Sequence, residues 1–128
     1  MSSSFREART ICRSDHEISR EDRDLYINIH FDNIKKGHKS NFLKCSERGK
    51  KCSTFEEPYD YTSVMHYKKT AFTNGKGPTI TTKNPIFGDF TGYHDAASLG
   101  DARRVQLLYK CPGKAQCYCK ILDIKHFF

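Results

Sequence analysis

The sequence lacks three features that would each indicate a particular class of protein. It has no apolar run as long as a membrane-spanning helix, so we expect no membrane partner. It has no C-x-x-C pair, and Cys117 and Cys119 are too close together for the usual zinc knuckle, which argues against a zinc ribbon. Residues 2–9 contain no apolar stretch after Met1, so we expect no signal peptide of the usual kind in this chain.

The chain is basic and has the composition of a single globular domain. Its 128 residues include 22 Lys and Arg against 15 Asp and Glu, for a formal net charge of +7. Such an excess attracts acidic surfaces and polyanions such as heparin-like polymers, although a solvated surface is the commoner meaning of scattered basic residues. No motif interleaves aromatic and basic residues, so we expect no nucleic-acid partner.

Six cysteines in a chain of this length predict an oxidising, extracellular compartment. Six cysteines allow fifteen pairings in total, so the full connectivity stays open. One pair is favoured by position, because Cys45 and Cys52 bracket a short charged loop that contains a glycine. Closing that loop would stabilise the fold by roughly 2 to 3 kcal/mol. An extracellular protein without a signal peptide suggests either that the true start lies upstream or that Met1 is not the native N-terminus.

The patterning predicts few regular elements, in the α+β class. Apolar residues alternate strictly from Leu25 to Phe31, which is typical of a half-buried strand, and the β-branched run 79–82 predicts a second, edge strand. Ser98 is a suitable N-cap with Asp101 three residues later, and the helix that follows would present Ala102, Val105, Leu108 and Tyr109 on one face. The sequence Cys111-Pro112-Gly113 should end this helix.

Residues 58–67, Pro-Tyr-Asp-Tyr-Thr-Ser-Val-Met-His-Tyr, contain the densest group of aromatic and turn-forming residues in the chain. Met65 is the only methionine besides Met1, and its flexible thioether would suit the floor of a site. Tyr67 carries a phenolic oxygen that can coordinate a metal or donate a hydrogen bond to an oxyanion. The alternative is that Met65 and the tyrosines are ordinary core residues.

Three segments together resemble the astacin family of zinc metalloendopeptidases, which belongs to the metzincins. The segment Ser63-x-Met65-His66-Tyr67 resembles the Met-turn, residues 16–24 resemble the sequence that starts at the third zinc-binding histidine, and Leu108-Tyr109-x-Cys111 resembles the end of the closing helix. The resemblance covers residues 16–111, which correspond to the C-terminal half of the catalytic domain. It leaves residues 1–15 unmatched and residues 112–128 as a cysteine-containing tail.

The resemblance implies a role for each matching residue. His16 matches the third zinc ligand, and Tyr67 matches the tyrosine that binds zinc at rest and is thought to move to the transition-state oxyanion. Ser63 and Met65 match the Met-turn, with Met65 beneath the metal. Glu17 matches the acid that anchors the mature N-terminus. The implied cofactor is one zinc ion, and the implied substrates are proteins or peptides.

The family's first two zinc ligands have no match in this chain. The motif H-E-x-x-H-x-x-G-x-x-H places two histidines on one helix face and swings in a third after a glycine. Laid back from His16, it puts Arg6, Thr10 and Arg13 at the first His, the second His and the Gly. We therefore expect a truncated metalloendopeptidase chain that is inactive by itself. The alternative is a non-catalytic, basic extracellular binding module.

Overall fold

The computed structural model describes residues 15–88, 91–92 and 96–110. Within these ranges the chain forms two short strands, β1 (Ile27–Ile29) and β2 (Ile80–Thr82), and one α-helix, α1 (Leu99–Tyr109). Six single-turn 3₁₀ helices accompany them in this part of the chain. Two precede β1 (Glu17–Ser19 and Arg23–Leu25), three lie between the strands (Phe31–Asn33, Lys39–Phe42 and Ser46–Arg48), and one follows β2 (Pro85–Phe87). The fold is therefore α+β with long irregular connections, as the sequence predicts. The expected N-terminal segment and the cysteine-containing tail lie almost wholly outside the described residues.

The two strands form an antiparallel pair, in which Ile27 lies opposite Thr82 and Ile29 opposite Ile80. Ile27 and Ile80 are buried, so this pair supplies one wall of the core. The strand predicted from Leu25 to Phe31 was too long at both ends. The amide of Leu25 bonds locally to the Asp22 carbonyl, and the amide of Ile34 bonds to the Phe31 carbonyl. These turns use backbone amides and carbonyls that a longer strand would need for hydrogen bonds to its partner strand. Leu25, which lies in the first turn, is 72% exposed.

The helix α1 begins with the predicted cap and ends earlier than predicted. The Ser98 hydroxyl accepts a hydrogen bond from the Asp101 amide, and the Asp101 carboxylate accepts one from the Ser98 amide, which confirms the capping interaction. The helix ends at Tyr109 because Lys110 adopts a left-handed conformation with φ of 47°. No helix in the described part of the chain has the length and apolar character that crossing a bilayer requires.

The core combines isoleucine side chains with aromatic rings. Tyr26 stacks on Tyr59 with ring centroids 4.7 Å apart, and Tyr61 stacks on Phe87 at 4.6 Å. The buried members of this core are Ile18, Ile27, Ile34, Phe42, Tyr59, Tyr61, Tyr67 and Ile80. Beside the core, the predicted disulfide partners Cys45 and Cys52 are joined, with their Cα atoms 5.9 Å apart.

Candidate metal centre

The stretch around Met65 folds as a tight, buried turn. The Ser63 amide bonds to the Asp60 carbonyl at 3.2 Å, and the His66 amide bonds to the Ser63 carbonyl at 3.0 Å. The Ser63 hydroxyl oxygen accepts a further bond, of 3.0 Å, from the Met65 amide. Ser63, Met65, His66 and Tyr67 are all buried. We refer to residues 60–66 as the Met65 turn.

His16 packs against the end of this turn with a defined ring orientation. Its Nδ1 atom lies 3.2 Å from the Met65 carbonyl oxygen. Because a carbonyl can only accept, Nδ1 carries the proton and Nε2 keeps its lone pair. Metal-binding histidines usually have this arrangement, in which one ring nitrogen donates to a backbone carbonyl and the other binds the metal. His16 is therefore oriented as a ligand would be.

The structure brings His16 and Tyr67 together, although they are far apart in sequence. Their ring centroids lie 4.5 Å apart, with an angle of 58° between the ring planes. Tyr67 also packs against Phe42 and Phe72, at centroid distances of 5.6 and 5.7 Å. These contacts place an imidazole and a phenol side by side next to the Met65 turn, and the roles expected for them stay predictions.

Gly92 fixes the approach of a second segment to Tyr67. Its φ of +71° lies in the left-handed region, and a Cβ built on it would stand 2.5 Å from the carbonyl carbon of Tyr67. A side chain at this position would therefore force apart the backbone that carries Tyr67.

Glu17, the predicted N-terminus anchor, lies in a buried cluster of charges. It is 2% exposed. Arg104 reaches both of its carboxylate oxygens, at 2.5 and 2.9 Å, and the guanidinium of Arg20 lies 3.1 Å from one of them. The Asp60 amide donates a further bond of 2.8 Å. Burial raises the pKa of Glu17, while Arg104 and Arg20 act in the opposite direction. The chain's N-terminal residues lie outside the described ranges, so the anchoring role stays a prediction.

Two functional candidates on α1 were missed by the sequence reasoning. The Asp101 carboxylate, predicted only as part of the helix cap, also accepts bonds from the Ser63 hydroxyl at 2.6 Å and the Val64 amide at 3.0 Å. Arg104, which binds Glu17, was not singled out at all. Both residues share the inward face with Val105 and are buried. Their spacing relative to Val105 was the signal that could have revealed them.

His66 is buried and both of its ring nitrogens have partners. Nδ1 donates to the Tyr67 carbonyl at 2.7 Å, and Nε2 accepts from the Tyr59 hydroxyl at 2.9 Å. Burial lowers the pKa of His66 to about 4, although the bond to the Tyr67 carbonyl acts to raise it. His66 is therefore a neutral structural residue, with no lone pair available to a metal.

The described residues bring together two of the side chains expected at a zinc site but do not make up a complete site. Catalytic zinc sites have three protein ligands and an open position. The arrangement described above offers the imidazole of His16 and the phenol of Tyr67. A separate group, Asp15, Cys45 and Cys52, places its possible ligand atoms within 4.8 Å of one another. Its two sulfurs are joined in the disulfide and so provide no thiolate.

The sequence is similar to proteins of one peptidase family. The model of that family, Astacin, matches residues 14–110. The chain is 45% identical over 96 residues to human meprin A subunit beta, covering 75% of this chain and 13% of that protein. It is 38% identical over 102 residues to Protein SpAN of Strongylocentrotus purpuratus, covering 80% and 16%. It is 38% identical over 96 residues to zinc metalloproteinase nas-5 of Caenorhabditis elegans, covering 75% and 26%.

A solved structure shows the same fold. High choriolytic enzyme 1, a hatching enzyme zinc-protease of medaka (Oryzias latipes), superposes with a TM-score of 0.66 at 34% sequence identity. The match covers 76% of this chain and 46% of that chain. The chain thus spans less than half of the solved structure and between 13 and 26% of the three relatives above.

Proposed function

This chain belongs to the astacin family of peptidases, and from that premise we propose that it serves zinc-dependent hydrolysis of peptide bonds in proteins or peptides. In this proposal His16 binds the zinc ion through Nε2. Tyr67 binds the same ion at rest and donates a hydrogen bond to the oxyanion as the peptide carbonyl is attacked. When bound, the ion would act as a Lewis acid and lower the pKa of a water molecule.

The single observation that carries the proposal is the orientation of His16. Its Nδ1 atom faces the Met65 carbonyl at 3.2 Å, which assigns the proton to that nitrogen and the lone pair to Nε2. Its ring lies 4.5 Å from the ring of Tyr67, so the two side chains with the required chemistry are neighbours. An imidazole held by a backbone carbonyl is the usual form of a metal-binding histidine, which supports a ligand role for His16.

We further propose that the chain is not catalytic by itself. Its sequence contains no H-E-x-x-H, and its six histidines include no pair four residues apart. Two ligands would forfeit most of the roughly 10 to 16 kcal/mol that complete structural zinc sites provide. We therefore expect weak zinc binding that depends on His16 and no peptide hydrolysis.

Zinc titration by calorimetry tests the proposal directly. We expect weak binding by the full chain, a loss of at least tenfold in affinity for His16→Ala, and a smaller loss for Tyr67→Phe. His30→Ala is the matched control, because the Nε2 atom of His30 lies 2.8 Å from the Thr81 hydroxyl, and none of the contacts described above joins His30 to His16 or Tyr67. Equal affinities for His16→Ala and the unmodified chain would refute the ligand role. One zinc ion per chain retained through dialysis would refute the weak binding, and casein cleavage blocked by a chelator would refute the inactivity.

The proposal also includes the compartment in which the chain works. The disulfide between Cys45 and Cys52 closes a loop on the protein surface, and such bonds persist in oxidising environments. We therefore propose that the chain works outside the cell, where protein and peptide substrates would meet it.

A second candidate function, polyanion binding, is favoured by one observation. Residues 33–46 and 61–88 contain no Asp or Glu but eight lysines. The two segments lie together, since the Lys35 amide bonds to the Phe72 carbonyl at 2.8 Å and Ile34 forms an antiparallel bridge with Thr73. Lys35, Lys36 and Lys39 are exposed, and the neighbouring segment, residues 61–88, also has no acidic residue.

Heparin chromatography tests this second candidate. We expect salt-dependent retention that falls when Lys35, Lys36 and Lys39 are replaced by Gln. Lys44→Gln is the matched control for a single charge, because its ammonium group already pairs with Asp24 at 2.5 Å and should contribute little. Passage of the unmodified chain through the column at low salt would rule out polyanion binding.

A further inference from the structure

Two buried side chains of α1 contact the backbone that orients His16. Asp101 and Arg104 are each 8% exposed and lie one turn apart on the inward face of the helix. Neither touches His16 in the hydrogen bonds described above. Asp101 instead bonds to Ser63, which holds Met65, and Arg104 bonds to Glu17, whose amide donates to the Met65 carbonyl. The helix therefore has two routes by which it can set the position of His16.

The first route runs from Asp101 through the Met65 turn. The Ser63 hydroxyl donates to Asp101 at 2.6 Å, and the same oxygen accepts from the Met65 amide at 3.0 Å. The carbonyl of Met65 then accepts from Nδ1 of His16 at 3.2 Å. The Met65 carbonyl shares its planar peptide unit with the His66 amide, which donates to the Ser63 carbonyl at 3.0 Å. Ser63 thus holds the chain on both sides of Met65, which fixes the direction of the carbonyl that orients the imidazole ring.

The second route runs from Arg104 through Glu17. Two hydrogen bonds fix the Glu17 carboxylate to the guanidinium of Arg104, in the paired geometry that gives the strongest charge-assisted bonds. The Glu17 amide donates to the Met65 carbonyl at 3.3 Å. Glu17 directly follows His16, so its anchoring limits the freedom of the His16 backbone. Both routes meet at one carbonyl oxygen, that of Met65.

We propose that Asp101 and Arg104 are positioning residues for His16, an inference that rests on the proposed ligand role of His16. They hold the Met65 carbonyl where it keeps the proton on Nδ1 and so leaves the lone pair on Nε2. The tautomer of a histidine is set by the hydrogen bond that its other nitrogen makes. Loss of either α1 side chain should therefore lower the proportion of His16 that carries its proton on Nδ1, even in the metal-free chain.

The test is the tautomer of His16, measured by nitrogen NMR on the full metal-free chain labelled at histidine. The measurement is made near pH 8, above the ordinary histidine pKa of about 6.5, so that the rings are neutral. We expect Asp101→Ala to lower the ratio of the Nδ1–H to the Nε2–H form at His16 by about tenfold. Arg104→Gln should lower it by a smaller factor, and Arg104→Lys should restore part of the loss.

Three controls separate positioning from general destabilisation. His66 is the internal reference, because Tyr59 and Tyr67, rather than α1, hold its ring. Ser98→Ala removes the cap of α1 and a hydrogen bond to Asp60 but none of the bonds of the two routes, so the His16 ratio should not change. Asp101→Asn keeps the shape of the side chain and can replace Asp101→Ala if that variant fails to fold.

Two outcomes would overturn the inference. An unchanged His16 ratio in both Asp101 variants and in Arg104→Gln would show that the helix does not set the tautomer. Equal changes at His16 and His66 would show that the helix supports the whole turn rather than this ligand. Because no zinc is present, the result is independent of the zinc titration. Failure of the positioning role and failure of the ligand role are therefore distinguishable.

Discussion

The Met65 turn lies between two regions of opposite chemistry. On the α1 side, which we call the polar face, Asp101 and Glu17 contact it through hydrogen bonds, and Arg104 forms an ion pair with Glu17. On the other side, the aromatic face, Tyr26 stacks on Tyr59 and Tyr61 on Phe87, and the two pairs meet where Tyr59 contacts Tyr61 edge to face. Hydrogen bonds depend on direction, whereas burial of rings depends mainly on area. The difference indicates that the polar face sets the orientation of the groups in the site, while both faces contribute to stability.

The largest expected effect comes from breaking the polar face at Arg104. Arg104→Ala removes the main partner of a carboxylate that is 2% exposed, and removing one member of a buried ion pair costs about 3 to 5 kcal/mol of unfolding free energy. Urea unfolding measures it. Adding Glu17→Gln to Arg104→Ala should recover part of the loss, because the unpaired charge is then gone.

The control for this prediction is the neighbouring arginine. The side chain of Arg103 is 67% exposed and lies 3.8 Å from Glu57, so Arg103→Ala should change stability by no more than about 0.5 kcal/mol. Equal losses for Arg103→Ala and Arg104→Ala would mean that the polar face adds nothing specific.

The second effect, up to about 3 kcal/mol, concerns pH and His66, where the two faces meet. His66 has an ordinary pKa of 6.5 when unfolded and a pKa of about 4 when folded. Between these values the unfolded chain binds a proton that the folded chain does not, so stability falls as pH drops from 6.5 towards 4. The shift corresponds to about 3 kcal/mol at about 1.36 kcal/mol per pKa unit. Urea unfolding at several pH values should show this slope.

Replacement of His66 identifies the source of that slope. His66→Gln should be less stable throughout but should lose stability less steeply between pH 6.5 and 4. The pKa of Asp60 lies below its ordinary value of 3.8, so its contribution is lost only under that pH. The raised pKa of Glu17 has the opposite sign, because the folded chain then takes up the proton first. Parallel slopes for the variant and the unmodified chain would exclude His66 as the cause.

The smallest effect sharpens the comparison by weakening α1 without touching its charges. Ser98→Ala removes the hydroxyl that accepts from the Asp101 amide at 3.0 Å and donates to the Asp60 carboxylate. Loss of a cap costs about 1 kcal/mol, and loss of the bond to Asp60 adds about 1 kcal/mol. Thermal unfolding followed by circular dichroism measures it. Ser40→Ala, at an exposed position in the turn Lys39–Phe42, is the control and should have almost no effect. No loss for Ser98→Ala would mean that α1 is held by its tertiary contacts alone.

Local signals in the sequence predicted local structure well. The pairing of Ser98 with Asp101 predicted the start of α1, the α+β class is confirmed, and the resemblance to the astacin family is confirmed by the family match. Alternation from Leu25 to Phe31 predicted a strand and overstated its length. Alternation records which side chains could face a core, but it does not record the 3₁₀ turns that compete for the same backbone groups.

Contacts over long separations could not be predicted in this way. Glu17 and Arg104 are 87 positions apart, and Ser63 and Asp101 are 38 positions apart. Charged residues are usually placed on the solvent side of a helix, so an inward arginine and aspartate run against the general rule. Only the folded chain shows that each has a buried partner of matching chemistry.

Gly92 has a consequence for variation in this region. A residue larger than glycine would collide with the peptide that joins Tyr67 to Lys68, and it would also have to adopt a φ of +71°. If this codon were randomised and folded chains were selected, glycine should be almost the sole survivor there, whereas exposed positions such as Lys76 should tolerate most amino acids. The range of amino acids accepted at position 92 would then measure how little the backbone of Tyr67 can move.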